Sequence, residues 1–306
     1  MNASRFARGL LLVLCLLVIA ASVFAQAQQP KEEFQPQVGQ SGKDVVWVPT
    51  PQALVEKMLD MAKVTPQDFL IDLGSGDGRT VITAAKRGVR AMGIEFNPDM
   101  VALSKRNAAK EGVSDKATFV QADLFATDLS QATVITMFLL PKINLKLRPK
   151  LLDLKPGTRI VSNTFTMGEW KADETAKVDN DDSYWRRSLL WIEYKIHRIF
   201  PSHGDDSYWH TALFWIVPTK VGGTWKLPQG ELALKQEFQK FSGTLKSDRN
   251  STPITDGRLR GDQISFSAGG AQYTGRVNGD TMEGTLSSGG NTTTWSATRA
   301  AVKQSN

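Results

Sequence analysis

Leu70-Ile-Asp-Leu-Gly-Ser-Gly-Asp-Gly-Arg79 is the stretch that decides the fold. A short apolar run carries one acid, Asp72, and breaks into a glycine-dense turn, Gly74-Ser75-Gly76-Asp77-Gly78. A helical segment, Thr80–Lys86, follows at once. Strand, glycine turn and helix in that order form a nucleotide-cradling element. The glycines allow positive φ and close backbone approach to a ligand. The new helix presents unpaired N–H groups to an anionic group.

The spacing speaks against a dinucleotide. In G-x-G-x-x-G the sixth position is glycine; here it is Arg79, and the third glycine arrives early, at Gly78. Asp72 would repel a pyrophosphate and attract a cation. S-adenosylmethionine fits, with an ammonium, a sulfonium and no phosphate. A second apolar run, Ala91–Glu95, ends in an acid that can hold a ribose diol. That feature alone would also suit NAD. A third run, Thr118–Asp123, ends in an acid able to accept from an adenine amino group. Asp72, Glu95 and Asp123 thus close three strands at one sheet edge. Thr50 is read either as a partner for the cofactor carboxylate or as N-cap of the helix after it.

Three segments together resemble the class I S-adenosylmethionine-dependent methyltransferases: Asp72-Leu-Gly-Ser-Gly-Asp-Gly78, Gly93-Ile-Glu-Phe-Asn97-Pro98 and Ala122-Asp123-Leu124. Val48-Pro49-Thr50-Pro51, Phe138-Leu-Leu-Pro141 and Leu147-Arg-Pro-Lys-Leu151 extend the likeness. They look most similar to protein-lysine methyltransferases of the ATP-synthase c-subunit type and their bacterial relatives. The likeness covers about residues 45–170. It implies a Rossmann-like sheet with S-adenosylmethionine as cofactor. Asp72, Gly74, Ser75, Gly76, Asp77 and Gly78 would hold its methionine part, Glu95 its ribose and Asp123 its adenine, with Asn97, Leu124 and Thr50 in the same set. Many amine methyltransferases carry a polar-Pro-Pro-aromatic turn after the fourth strand. This chain has Phe138 and Pro141 there, expected to line the acceptor channel, although Phe138 reads equally well as a core aromatic.

Methyl transfer from a sulfonium is an in-line displacement from an activated donor, so alignment and exclusion of water suffice. No residue is assigned as catalytic. The expected reaction is N-methylation of a protein lysine. A small phenol- or quinone-like acceptor, and a non-catalytic exported binding protein on the same fold, stand as alternatives.

Residues 1–27 read as a secretory signal, with Arg5 and Arg8 ahead of an apolar Leu10–Phe24 and small residues near Ala25 and Ala27. Export to a periplasm or the exterior is expected; an uncleaved segment would instead anchor the chain in a membrane. The single cysteine, Cys15, lies within this segment, so the remainder carries no thiol chemistry. The net charge of +6 is a mild basic excess without a dense Lys/Arg run, and nucleic acid is not expected as a partner.

Residues 28–44 read as a linker, 45–220 as the cofactor-binding domain and 221–306 as a second, all-β domain. The first domain alternates strand and helix in the doubly wound manner: Phe69–Leu73, Thr80–Arg87, Ala91–Glu95, Pro98–Glu111, Ala117–Gln121, Thr133–Leu139, Lys142–Leu151 and Arg159–Asn163. Residues 181–192 and 205–216 repeat one motif. They are read as an antiparallel pair closing the sheet, or as a tandem duplication with one redundant copy. The three histidines, His197, His203 and His210, fall in or near this repeat, and no metal site is expected. From Gly222 onward, Asp256-Gly257, Gly269-Gly270, Asn278-Gly279 and Gly289-Gly290 mark hairpin turns between short alternating strands. They predict a β-meander or partial barrel, read as a stabilising appendage ahead of a substrate-docking module.

Overall fold

Strands β1 (Phe69–Leu73), β2 (Arg90–Glu95), β3 (Ala117–Gln121), β4 (Val134–Met137), β5 (Arg159–Asn163), β6 (Glu174–Lys177) and β7 (Thr211–Ile216) form one sheet in the order β3-β2-β1-β4-β5-β7-β6. This is a computed structural model, and it describes residues 34–42, 46–178, 210–228, 230–247 and 250–301. The first five strands pair in parallel, while β7 runs antiparallel to both β5 and β6. The strand order reverses between β1 and β4. A crevice opens at such a switch point, beyond the carboxyl ends of the strands.

Helices α1 (Gln52–Met61), α2 (Arg79–Lys86), α3 (Pro98–Lys110) and α4 (Pro141–Leu152) cover the sheet. Alternation along β1 divides its side chains between two cores. Leu70 joins Leu54, Val55 and Leu59 of α1 with Val81 of α2; Ile71 joins Leu147 and Leu151 of α4 with Trp170 and Trp215. Burial on both faces accounts for the near-continuous apolar runs of these strands. Pro98 and Pro141 each occupy a first helical turn, where a missing N–H costs nothing.

Of the two repeat copies, only the end of the second falls among the described residues. That end supplies β7, and the antiparallel edge partner of β7 is Glu174–Lys177. The first copy, residues 181–192, lies outside the described residues, as do His197, His203 and residues 1–33. The shortness of β6 and its exposed, charged composition kept it hidden from the sequence reading.

The C-terminal region closes fully. Strands β8 (Gly223–Leu227), β9 (Gly230–Glu237), β10 (Lys240–Lys246), β11 (Ser251–Arg260), β12 (Gln263–Ala268), β13 (Ala271–Asn278), β14 (Thr281–Ser288) and β15 (Asn291–Arg299) make an eight-stranded barrel. Thr298 and Arg299 pair with Lys226 and Trp225 to seal it, which removes both exposed edges. Inside, Phe266 stacks on Tyr273 at 4.5 Å and meets Trp295 edge-on at 5.7 Å. Asp256-Gly257 is not a hairpin turn. It is a bulge inside β11, where the register shifts between Thr255 and Arg258. A Cβ on Gly257 would lie 2.1 Å from the Phe241 carbonyl oxygen, so a close backbone contact, not a turn, demands this glycine.

Asp173 fastens the barrel to the sheet. Its carboxylate accepts from the Ile216 backbone N–H and from Arg258 of β11, both at 3.0 Å, with its side chain only 2% exposed. Phe238 stacks on Trp170 at 6.2 Å beside this pair, and Gln239 Nε2 donates to the Lys171 carbonyl. Asp173→Ala removes the acceptor of the part-buried Ile216 N–H and of the half-exposed Arg258, and should lower stability by about 1 kcal/mol. An unchanged urea midpoint would show that the contact contributes nothing.

Candidate active site

Two backbone bonds and one side-chain bond hold the glycine turn against β2, and a fourth closes the turn on itself. The Gly74 and Ser75 N–H groups both donate to the Ile94 carbonyl, at 2.9 and 3.1 Å. The Gly76 N–H donates to Glu95 Oε2 at 3.0 Å, and the Gly78 N–H donates to the Ser75 carbonyl at 2.9 Å. Gly74, Gly76 and Gly78 all have positive φ, and Gly78 serves as the left-handed N-cap of α2. The conformation therefore requires the residue type the sequence supplies. Glu95 Oε1 accepts from the N–H groups of Phe96 and Asn97, so one carboxylate ties three backbone donors together.

Asp72 sits beneath the turn, 6% exposed, accepting from Thr136 Oγ1 at 2.7 Å. Burial pushes its pKa up to about 7; Glu95 and Asp77 add to the rise, and the Thr136 hydrogen bond opposes it. Asp77 is differently engaged. Both of its oxygens accept from Arg79, whose Nη1 also reaches the Thr50 carbonyl at 2.8 Å. The glycine turn and the segment before α1 are thereby joined through one guanidinium.

The cleft over this turn encloses about 140 Å³. It brings together Thr50, Asp72, Gly74, Ser75, Gly76, Asp77, Glu95, Asn97, Asp123, Leu124 and Phe138 from the sequence-derived set. Gly78 stands one step behind, at the helix start. Pro141 is absent from the lining; it opens α4, and Leu139 and Ile143 face the cleft around it. Asn97 caps α3 through Asp99 N–H, and Asp123 Oδ1 accepts from Phe125 N–H in a tight turn. Phe138 stacks on Phe165 at 6.0 Å.

Thr50 does not cap α1. The N-cap is Pro51 with no side-chain cap bond, and the Thr50 hydroxyl instead accepts from Asn163 Nδ2 at 3.3 Å. His210 precedes β7, and burial pushes its pKa down. No group of three or more His, Cys, Asp or Glu side chains converges on a common point among the described residues.

Trp47 and Phe96 are among the lining residues outside the sequence-derived set. Trp47 leans over the turn so closely that a Cβ on Gly76 would lie 2.7 Å from its Nε1. Its backbone is held by Gly39 and Gln40. Phe96, 49% exposed, stands at the rim directly after Glu95.

A buried acid able to meet an ammonium, a lining arginine (Arg79) already committed to Asp77 and the Thr50 carbonyl, and Ser75 Oγ, buried without a partner, suit a cationic nucleoside better than a phosphate. Comparison with known proteins agrees. Residues 72–174 match the family profile described as the ANTKMT methyltransferase domain. A protein-lysine N-methyltransferase of Saccharolobus islandicus is 45% identical over 139 residues, covering 44% of this chain and 86% of the relative. The human lysine N-methyltransferase of the ATP-synthase c-subunit is 34% identical over 140 residues, covering 45% of this chain and 59% of that protein. A solved RNA methyltransferase from Salinibacter ruber, in complex with S-adenosyl-L-homocysteine, is 41% identical. It covers 57% of this chain and 96% of its own, with a TM-score of 0.46.

Proposed function

This chain belongs to the protein-lysine N-methyltransferase family, and from that premise we propose that its acceptor is the side-chain amine of a protein lysine. The enzyme is an S-adenosylmethionine-dependent methyltransferase. When bound, the donor supplies a methyl group already activated on a sulfonium. Asp72 would meet its ammonium, Thr50 its carboxylate, Glu95 a ribose hydroxyl and Asp123 the adenine amino group. Ser75, Asn97 and Leu124 complete the walls.

A lysine must lose a proton before it can attack. The apolar wall of Leu139, Ile143 and the stacked Phe138–Phe165 pair favours the neutral amine, because burial disfavours an ammonium. Alignment in a water-poor channel then supplies the rest of the rate. The observation that carries this reading is the buried Asp72 beneath a cradle whose glycine spacing departs from the dinucleotide fingerprint. The protein-lysine relative is the more identical one, at 45% against 41% for the RNA methyltransferase, and it favours a protein acceptor. The N-terminal reading adds export, or anchoring by an uncleaved segment, to the proposal; the N-terminal sequence of protein recovered from its native cells would test it.

Incubation of the purified enzyme with donor and candidate proteins should add whole methyl increments to lysine, read by peptide mass spectrometry. Transfer confined to small acceptors would overturn the acceptor assignment while leaving the methyltransferase intact.

A further inference from the structure

Ser162 and Asn163, which end β5, are fully buried, and Thr164, directly after the strand, is 8% exposed. Thr164 has φ +62°, a left-handed conformation that a β-branched residue rarely adopts. Such strain persists only where surrounding bonds impose it, and it gathers at functional sites. Here the Thr164 N–H donates to the Thr211 carbonyl at 2.7 Å, and the Phe165 N–H donates to the Asn163 carbonyl at 2.6 Å. The turn aims the Thr164 hydroxyl back at Asn163 Oδ1, to which it donates at 2.8 Å.

That bond and the contact with Thr50 correspond to one orientation of the Asn163 amide. With Oδ1 facing Thr164, Nδ2 faces the Thr50 hydroxyl and donates to it. A hydroxyl has one hydrogen. The Thr50 oxygen is occupied as an acceptor, and its hydrogen is left for the cleft that Thr50 lines. Polarity therefore runs one way, from Thr164 through Asn163 to Thr50 and outward. The Thr50 backbone is held separately, by Arg79. Asn163 thus governs which way the hydroxyl points more than where the segment lies.

We propose that Asn163 is a positioning residue for the methyl donor, acting through Thr50 to present a hydrogen-bond donor to the donor's carboxylate. This rests on the reading of the cleft as the methyl-donor site. A single hydrogen bond to a charged group of this kind is worth about tenfold in affinity.

Calorimetry with S-adenosylhomocysteine and with decarboxylated S-adenosylmethionine tests it without recourse to turnover. Asn163→Asp keeps the shape but offers only acceptors to Thr50, drawing its hydrogen away from the cleft. It should weaken S-adenosylhomocysteine about tenfold and spare the decarboxylated ligand. Thr50→Val should do the same, and adding Asn163→Asp to Thr50→Val should cost little more. Equal loss for both ligands would reveal general damage and overturn the proposal. So would full additivity of the two substitutions, or unaltered binding in Asn163→Asp. Retained affinity in Thr50→Val beside lost affinity in Asp72→Asn would sink the relay and leave the donor site standing.

Discussion

Asp72→Asn is expected to weaken donor binding by about 3 kcal/mol, roughly a hundredfold near neutral pH, and to erase its pH dependence. The carboxylate lies wholly inside the protein, with Thr136 as its hydrogen-bond donor. An incoming ammonium would be the cation that offsets its burial. Because burial holds the pKa at about 7, binding must first supply an ionised carboxylate. Affinity should therefore rise about tenfold per pH unit below 7 and level off above it. Asparagine has no proton to lose, so the slope vanishes in the variant. Stability of the free protein moves the opposite way. The folded-state pKa is raised from 3.8, so between 3.8 and about 7 the native state holds a proton that the unfolded chain has released. Stability contributed by the protonated form is complete below 3.8 and is lost as pH rises towards 7. Asp72→Asn should remove that decline. Calorimetry and thermal unfolding between about pH 5 and pH 8 measure both effects. A flat binding profile in the unaltered protein would place Asp72 outside the donor site.

The parts of this fold that announce themselves in the sequence are those whose cause is local. Gly74, Gly76 and Gly78 adopt the positive φ that their residue type invites, and Glu95 ends its strand, while Asp72 lies one residue inside β1 and Asp123 two residues beyond β3. Hairpin glycines at Gly269-Gly270 and Gly289-Gly290 behave likewise. What stayed hidden depends on distant partners. Gly257 is required by the Phe241 carbonyl, Trp47 matters because it covers Gly76, and Thr50 finds Asn163 across more than a hundred residues. No periodicity encodes such meetings. Pro141 has a local role as well, as the opening residue of α4. Closure of the barrel was equally invisible, since β15 must curl back to β8 through only two paired positions.

Glu95→Ala should be at least as damaging to donor affinity, again about a hundredfold, for a different reason. The side chain is both a ligand group and a structural tie. Its two oxygens accept from Gly76, Phe96 and Asn97 N–H, which leaves one of about four acceptor sites for a ribose hydroxyl. Alanine releases the turn and removes that acceptor together, and stability should fall by about 1 kcal/mol as the freed donors turn to water. Glu95→Gln separates the two roles. It keeps one oxygen for Phe96 and Asn97 but places an amide –NH₂ against the Gly76 N–H, so that two donors face each other. Its affinity should fall between those of the unaltered protein and Glu95→Ala. A further consequence follows from charge. Glu95 is one of the groups that raise the Asp72 pKa, so neutralising it should move the pH midpoint of residual donor binding downwards from about 7. A midpoint that stays in place or climbs would mean that the two carboxylates do not share one electrostatic site, and the assignment of one nucleoside to both would fail.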